Sequence, residues 1–187
     1  MKIQNTSYII EGQDCTGKST IISKLLAKLA RREFPASYHH FMHPKGDTNE
    51  AKYAYQHGQF QLMFDMVRAS LGNTRWVFDR AHIGEYVWGP KYRGLWPQYM
   101  YELEDANTDL PLVLVLIKCD PEIIVKRFKN RPNEEPPTTA EIRMLRTLFQ
   151  TFCDMSPLPL YIIDTSEMTV DNYDDEIESL FEFVGSI

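Results

Sequence analysis

After the apolar residues Tyr8-Ile9-Ile10, the chain reads EGQDCTGKST over positions 11–20. Gly12 and Gly17 bracket four residues, and Lys18, Ser19 and Thr20 follow. This spacing, between a strand and a helix, makes a loop that wraps a chain of phosphates. Gly12 permits backbone angles that a side chain would forbid. Amides from Thr16 onward can turn inward at an anion, and the positive end of the next helix adds to that field. Lys18 is expected to stand exposed in the loop and to bridge the terminal phosphates. Ser19 is expected to hold magnesium through its hydroxyl.

A second set of groups points to phosphoryl transfer. Asp79 ends the run RWVFD and Arg80 follows it, so both residues fall at a strand's carboxyl end, where ligands bind in open α/β sheets. Arg127 and Arg131 are four apart on a predicted helix and share a face. The Pro-rich stretch RPNEEPPTT, 131–139, follows and reads as a mobile excursion. Cations beside such a segment are what a lid closing over a transferring phosphoryl group requires. Other users of phosphate loops fit less well. A GTP switch carries an Asn-Lys-x-Asp motif, which is absent, and no strand ends in the Asp-Glu pair of a motor ATPase.

These groups must be held by a scaffold, and the pattern of apolar residues supplies one. Strands are predicted at Ser7–Ile10, Tyr38–Met42, Arg75–Asp79, Leu112–Ile117 and Leu160–Asp164. Helices are predicted at Lys18–Glu33, Tyr53–Leu71, Glu122–Asn130, Thr139–Asp154 and Asp171–Val184. The unbroken apolar run Leu112 to Ile117 suits a strand buried on both faces of a parallel sheet. The expected class is α/β: a P-loop NTPase with a five-stranded parallel sheet, helices on both faces and a short lid at about 127–139. Residues 1–187 form one such kinase domain, within the usual size of a single domain.

Composition narrows the partners. A net charge of −6 argues against polymeric nucleic acid as the main partner, since such binding rests on phosphate neutralisation. A small phosphorylated ligand remains compatible through a local cationic pocket. Cys15, Cys119 and Cys153 lie far apart, with neither a C-x-x-C pair nor a metal rhythm, which fits a reducing compartment. No signal peptide or membrane span is read, so a cytoplasmic location is expected, the host's if the chain comes from a phage. His39, His40 and His43 give no zinc motif and are assigned no metal.

IEGQDCTGKST resembles the first motif of thymidylate kinases and their deoxynucleoside kinase relatives, with Glu11, Gly12, Asp14, Gly17, Lys18 and Ser19 at the matching places. Asp79-Arg80 resembles the family's Asp-Arg motif, Arg127 and Arg131 its Arg-rich lid, and residues 160–177 its last strand, adenine-side loop and final helix. The resemblance implies ATP and magnesium as cofactors. ATP would lie on Gly12, Asp14, Cys15, Thr16, Gly17, Lys18, Ser19 and Thr20, and magnesium on Ser19 and Asp79. Lys18, Asp79, Arg80, Arg127 and Arg131 would serve catalysis, Arg127 and Arg131 by stabilising charge in transfer. It also implies that Phe64 stacks on the acceptor base while Arg68, a turn later, reaches the base edge. A homodimer is a further implication.

The chain departs from the family at HPKGDTNE, where Lys45 is the only cation, and at AHIGEYVWGPKYRG, 81–94, which is more similar to kinases of bacteriophages. Asp14, Arg80, Glu85, Tyr86, Trp88, Tyr92 and Arg93 offer polar and aromatic groups for an acceptor pocket. A neutral nucleoside hydroxyl benefits from a carboxylate base after the second strand; a monophosphate needs a cation there instead. Lys45 at that place favours a nucleotide acceptor, and together with the resemblance this implies a pyrimidine deoxynucleoside monophosphate held by Lys45 and Arg80. The alternatives are a deoxynucleoside kinase, with its base among Glu11, Asp47 and Glu85; a kinase of a modified base in DNA; and a nucleotide-binding regulatory protein.

Overall fold

The computed structural model describes residues 5–41, 44–94, 96–131, 137–169 and 172–187. Five parallel strands form its sheet: β1 (Ser7–Glu11), β2 (Ala36–His40), β3 (Arg75–Asp79), β4 (Leu112–Lys118) and β5 (Leu160–Asp164). Their order across the sheet is β2-β3-β1-β4-β5. The connecting helices are α1 (Lys18–Arg31), α2 (Asn49–Ala69), α3 (His82–Arg93), α4 (Tyr99–Asp105), α5 (Pro121–Phe128), α6 (Thr139–Met155) and α7 (Asn172–Ser186). No helix among the described residues is long and apolar enough to cross a membrane.

The expected class needs correction. The parallel α/β sheet is present, but its strand order does not single out a P-loop NTPase, so the fold is a five-stranded all-parallel α/β fold. The expected short lid falls mainly on residues 132–136, which lie outside the described residues, as do Met42, His43 and Asp171. What flanks 132–136 is the end of α5 and the start of α6, where Thr138 and Glu141 form a reciprocal capping box.

The central strands are apolar because both faces of the sheet are covered. Leu112, Leu114 and Leu116 of β4 join Phe60, Phe64, Phe78 and Phe149 in one core. Val113, Val115 and Ile117 point the opposite way, into a second core with Ile21, Leu25, Ile177 and Phe181. This is the two-residue alternation of a strand. Helices α1 and α7 cover the second face, and α2, α3, α4 and α6 the first.

Helices α3 and α4 stand where the sequence predicted no helix. Gly84, Gly89 and Pro90 inside α3 weaken its intrinsic helix signal. Tertiary contacts supply what propensity lacks. Glu11, fully buried at the end of β1, accepts the N–H groups of Ala81 (2.8 Å) and Gly84 (3.2 Å) at the helix start. Burial raises the pKa of Glu11, and these N–H groups work against that rise. His82, also buried, meets Glu104 of α4 at 2.8 Å, and Ser156 donates to the same carboxylate oxygen at 2.6 Å.

Candidate functional site

Two clefts open along the carboxyl ends of the strands. The first, about 430 Å³, lies on the β1–α1 loop. Gly12 sits there at φ 139°, and a Cβ on it would come within 2.4 Å of the Ile117 carbonyl oxygen of β4. Only glycine lets the loop pass so close to the neighbouring strand. Gly17, at φ 97°, makes the turn into α1. Thr16 Oγ1 donates to Gln13 O at 2.9 Å and ties the loop across itself.

Lys18 is not exposed as expected. Its residue is 7% accessible, and its ammonium donates to the carbonyls of Gly12 and Gln13, both at 2.7 Å. Burial, with the Arg80 guanidinium next, pushes its pKa down to about 8. Ser19 and Thr20 are exposed and line the first cleft, as do Asp14, Cys15 and Gly17.

The end of β3 supplies the opposite wall. Asp79 Oδ2 accepts from Tyr38 Oη at 3.0 Å and meets His40 Nδ1 at 3.1 Å. A carboxylate has no proton to give, so His40 donates here through Nδ1 and its Nε2 is the remaining ring nitrogen. Asp79 Oδ1 is buried and has no hydrogen-bond partner among the described residues. Arg80 adopts φ 62°, the left-handed region, which an arginine seldom occupies. Its N–H bonds Ile10 O at 2.9 Å, and its guanidinium pairs with Asp14. Arg127 donates to Cys15 O (3.0 Å), Thr165 Oγ1 (3.2 Å) and Thr165 O (3.0 Å).

The second cleft, about 660 Å³, runs from this junction toward α2 and α3. Asp14, His40, Arg80 and Arg131 line both clefts. The far part carries Phe60, Trp88 and Tyr92 beside a polar cluster. In that cluster Gln56 Nε2 donates to Glu85 Oε1 at 3.1 Å, and Arg93 pairs with Glu85 Oε2. Gln56 Oε1 is buried without a partner among the described residues. A buried acceptor in a cleft wall, left unpaired, is a group suited to receive a ligand's N–H.

Several expected acceptor residues lie elsewhere. Phe64 is fully buried in the core against His82, with ring centroids 5.5 Å apart. Arg68 is bound by Asp109 (2.8 and 3.0 Å) and Asn107 (3.1 Å), before β4. The physical reason is direction. Because α2 leaves the carboxyl end of β2 and returns to the start of β3, only its turns up to about the middle of the helix border the clefts. Gln56 and Phe60 occupy those turns, and Phe60 is one turn before the expected Phe64. Tyr86 faces the core, stacked on Phe152 at 4.7 Å, while Glu85, Trp88, Tyr92 and Arg93 do line the cleft. Lys45 is exposed and lines neither cleft; His40 stands at the junction instead. Gln56, Phe60, His40 and Thr165 were not picked out from the sequence. The direction of α2 between two parallel strands is the signal that would have found the first two.

The same fold occurs in the YorR protein of Bacillus subtilis, whose crystal structure is a complex with phosphorylated GDP. The likeness has a TM-score of 0.70 at 23% sequence identity and covers 97% of this chain and 99% of YorR. No protein-family model and no curated protein matches the chain.

Proposed function

We propose that the chain is a magnesium- and ATP-dependent phosphotransferase whose acceptor is a pyrimidine deoxynucleoside monophosphate. The observation that carries the reading is the meeting of two clefts of different character. One rests on a glycine-bracketed loop with a buried ammonium; the other offers aromatic walls and a polar end fit for a base edge. Donor and acceptor placed in them would bring their reacting groups together at Asp14, His40, Arg80 and Arg131, so catalysis would come chiefly from positioning and charge. YorR, which shares the fold, binds a phosphorylated nucleotide, and this supports nucleotide as the ligand class.

The residues present fit magnesium. Ser19 is an exposed hydroxyl in the first cleft, and Asp79 Oδ1 is an orphaned hard oxygen in its wall. Ser19 and Asp79 would hold the ion, which when bound offsets the charge of the donor phosphates. Lys18 and the loop amides hold the donor. Arg80 keeps the acceptor phosphate, with Arg131 in place of Lys45.

A second reading, transfer to a deoxynucleoside 5′-hydroxyl, is favoured by the His40–Asp79 pair at the junction. An imidazole steadied by a carboxylate is an arrangement for taking a hydroxyl proton. ATP consumption by the full chain, measured with thymidine, deoxycytidine and their 5′-monophosphates, tests both. Turnover with the monophosphates is expected. Turnover with nucleosides alone would move the assignment to the second reading, and binding of ATP without turnover on any acceptor would leave a nucleotide-binding protein.

A further inference from the structure

Thr165, the residue after β5, is fully buried; it falls in the stretch that resembles an adenine-side loop, and no role of its own was expected of it. Its hydroxyl lies 2.5 Å from Thr16 O and accepts from Arg127 at 3.2 Å. Its N–H donates to Lys118 O at 2.9 Å, which fixes the residue to β4. Arg127 spans the same place: one nitrogen reaches Cys15 O and Thr165 Oγ1, and the other reaches Thr165 O. Both side chains pack beside Gly17, whose Cβ, if added, would meet Thr165 Cγ2 at 3.6 Å and Arg127 at 3.7 Å.

The two carbonyls held by these side chains, Cys15 O and Thr16 O, are successive. In a planar trans peptide the C=O and the following N–H point in opposite directions. Arg127 also lines the first cleft, and holding Cys15 O and Thr16 O turns the N–H groups of Thr16 and Gly17 to the opposite side of their peptides. We propose that Arg127 and Thr165 are positioning residues that brace the β1–α1 loop and so set its affinity for the donor phosphates. Arg127 then acts on the donor through the loop backbone rather than as a cation on the transferring group. The inference rests on the reading of this loop as the donor site, and it adds a residue from the far end of the chain to that site.

Thr165→Val keeps shape and removes the hydroxyl; Thr165→Ser keeps the hydroxyl. Affinity of the full chain for a non-hydrolysable ATP analogue is measured by calorimetry, beside steady-state kinetics. Thr165→Val is expected to weaken analogue binding and raise the KM for ATP about tenfold, the scale of one lost hydrogen bond, with kcat and the acceptor KM little changed. Thr165→Ser should bind as the wild type. Arg127→Lys keeps the charge but lacks the two-pronged reach, so it should weaken analogue binding as well, and this arm stands if Thr165→Val fails to fold. The double variant Arg127→Lys/Thr165→Val should be no worse than the weaker single variant, because both break one brace.

Binding by Thr165→Val or Arg127→Lys equal to wild type overturns the brace. So does a fall in kcat at saturating ATP with unchanged affinity, which is the behaviour of a cation on the transferring group. If the wild-type chain binds no ATP analogue, the donor reading itself falls, a result distinct from equal binding by wild type and variants.

Discussion

The two clefts are built by opposite means. The first cleft is mostly backbone: Gly12 and Gly17 set the path of its loop, Lys18 holds the carbonyls of Gly12 and Gln13, and Arg127 and Thr165 hold those of Cys15 and Thr16. The second cleft is mostly side chains, drawn from α2, α3 and the strand ends, among them Gln56, Phe60, Glu85, Trp88 and Arg93. A backbone cradle reads the feature all triphosphates share, so few substitutions there are silent. A side-chain wall reads shape and hydrogen-bond pattern and changes residue by residue without disturbing the loop. Reaction type should therefore track the first region, and substrate choice the second.

The largest effect is expected where the backbone is tightest. Gly12→Ala drives a Cβ against Ile117 O at a φ that alanine avoids, and should abolish transfer and lower Tm. Lys18→Ala should cut kcat/KM on the order of 10²–10³-fold, the scale for losing one preorganised donor. It should also lower stability, by about 1–3 kcal/mol, because two carbonyls lose their shared ammonium. A denaturant melt beside the rate assay separates these effects.

On the acceptor side, Gln56→Ala should reduce kcat/KM for the acceptor about tenfold and leave the KM for ATP unchanged. Equal losses for both substrates would erase the division between the regions.

Lys18 also gives the first cleft a pH signature. Its folded pKa is depressed to about 8 by burial, so the free protein carries the ammonium below that value and loses it above. Affinity for an ATP analogue should then fall as pH rises through 8, by up to about tenfold per unit. The stability sign is the reverse: between about 8 and the ordinary lysine value, the unfolded chain binds more protons, so stability from this group rises with pH. Analogue affinity that is flat from pH 7 to 9.5 would contradict the assignment of Lys18 to the phosphates.

The smallest effects are expected at two residues that looked functional in sequence. Lys45→Ala and Arg68→Ala should each change kcat/KM by less than about twofold, as surface substitutions away from either cleft. A large loss confined to monophosphate acceptors in Lys45→Ala would return Lys45 to the site.

Legibility in the sequence followed the same division. Local spacing placed the glycines and Lys18 on the β1–α1 loop and Asp79-Arg80 at the end of β3, and β3 and β5 fall on the short apolar runs read as strands. Helix α3 could not be read this way, since its glycines and proline argue against a helix that Glu11 and Glu104 hold from other elements. The shift from Phe64 to Phe60 has the same origin. Periodicity reports which face of α2 is buried, but not how far along the helix the cleft lies. Burial of Lys18 was hidden too, because its partners are backbone carbonyls that no side-chain pattern reveals.

Binding of a bisubstrate analogue, adenosine joined through phosphates to thymidine, tests the meeting of the two clefts most directly. One molecule should occupy both and bind at least about tenfold tighter than either half alone, as linked ligands do when geometry allows both ends to engage. It should displace both an ATP analogue and a monophosphate. If it binds no tighter than ATP and leaves the monophosphate site open, the clefts do not form one site and the phosphotransferase reading is wrong.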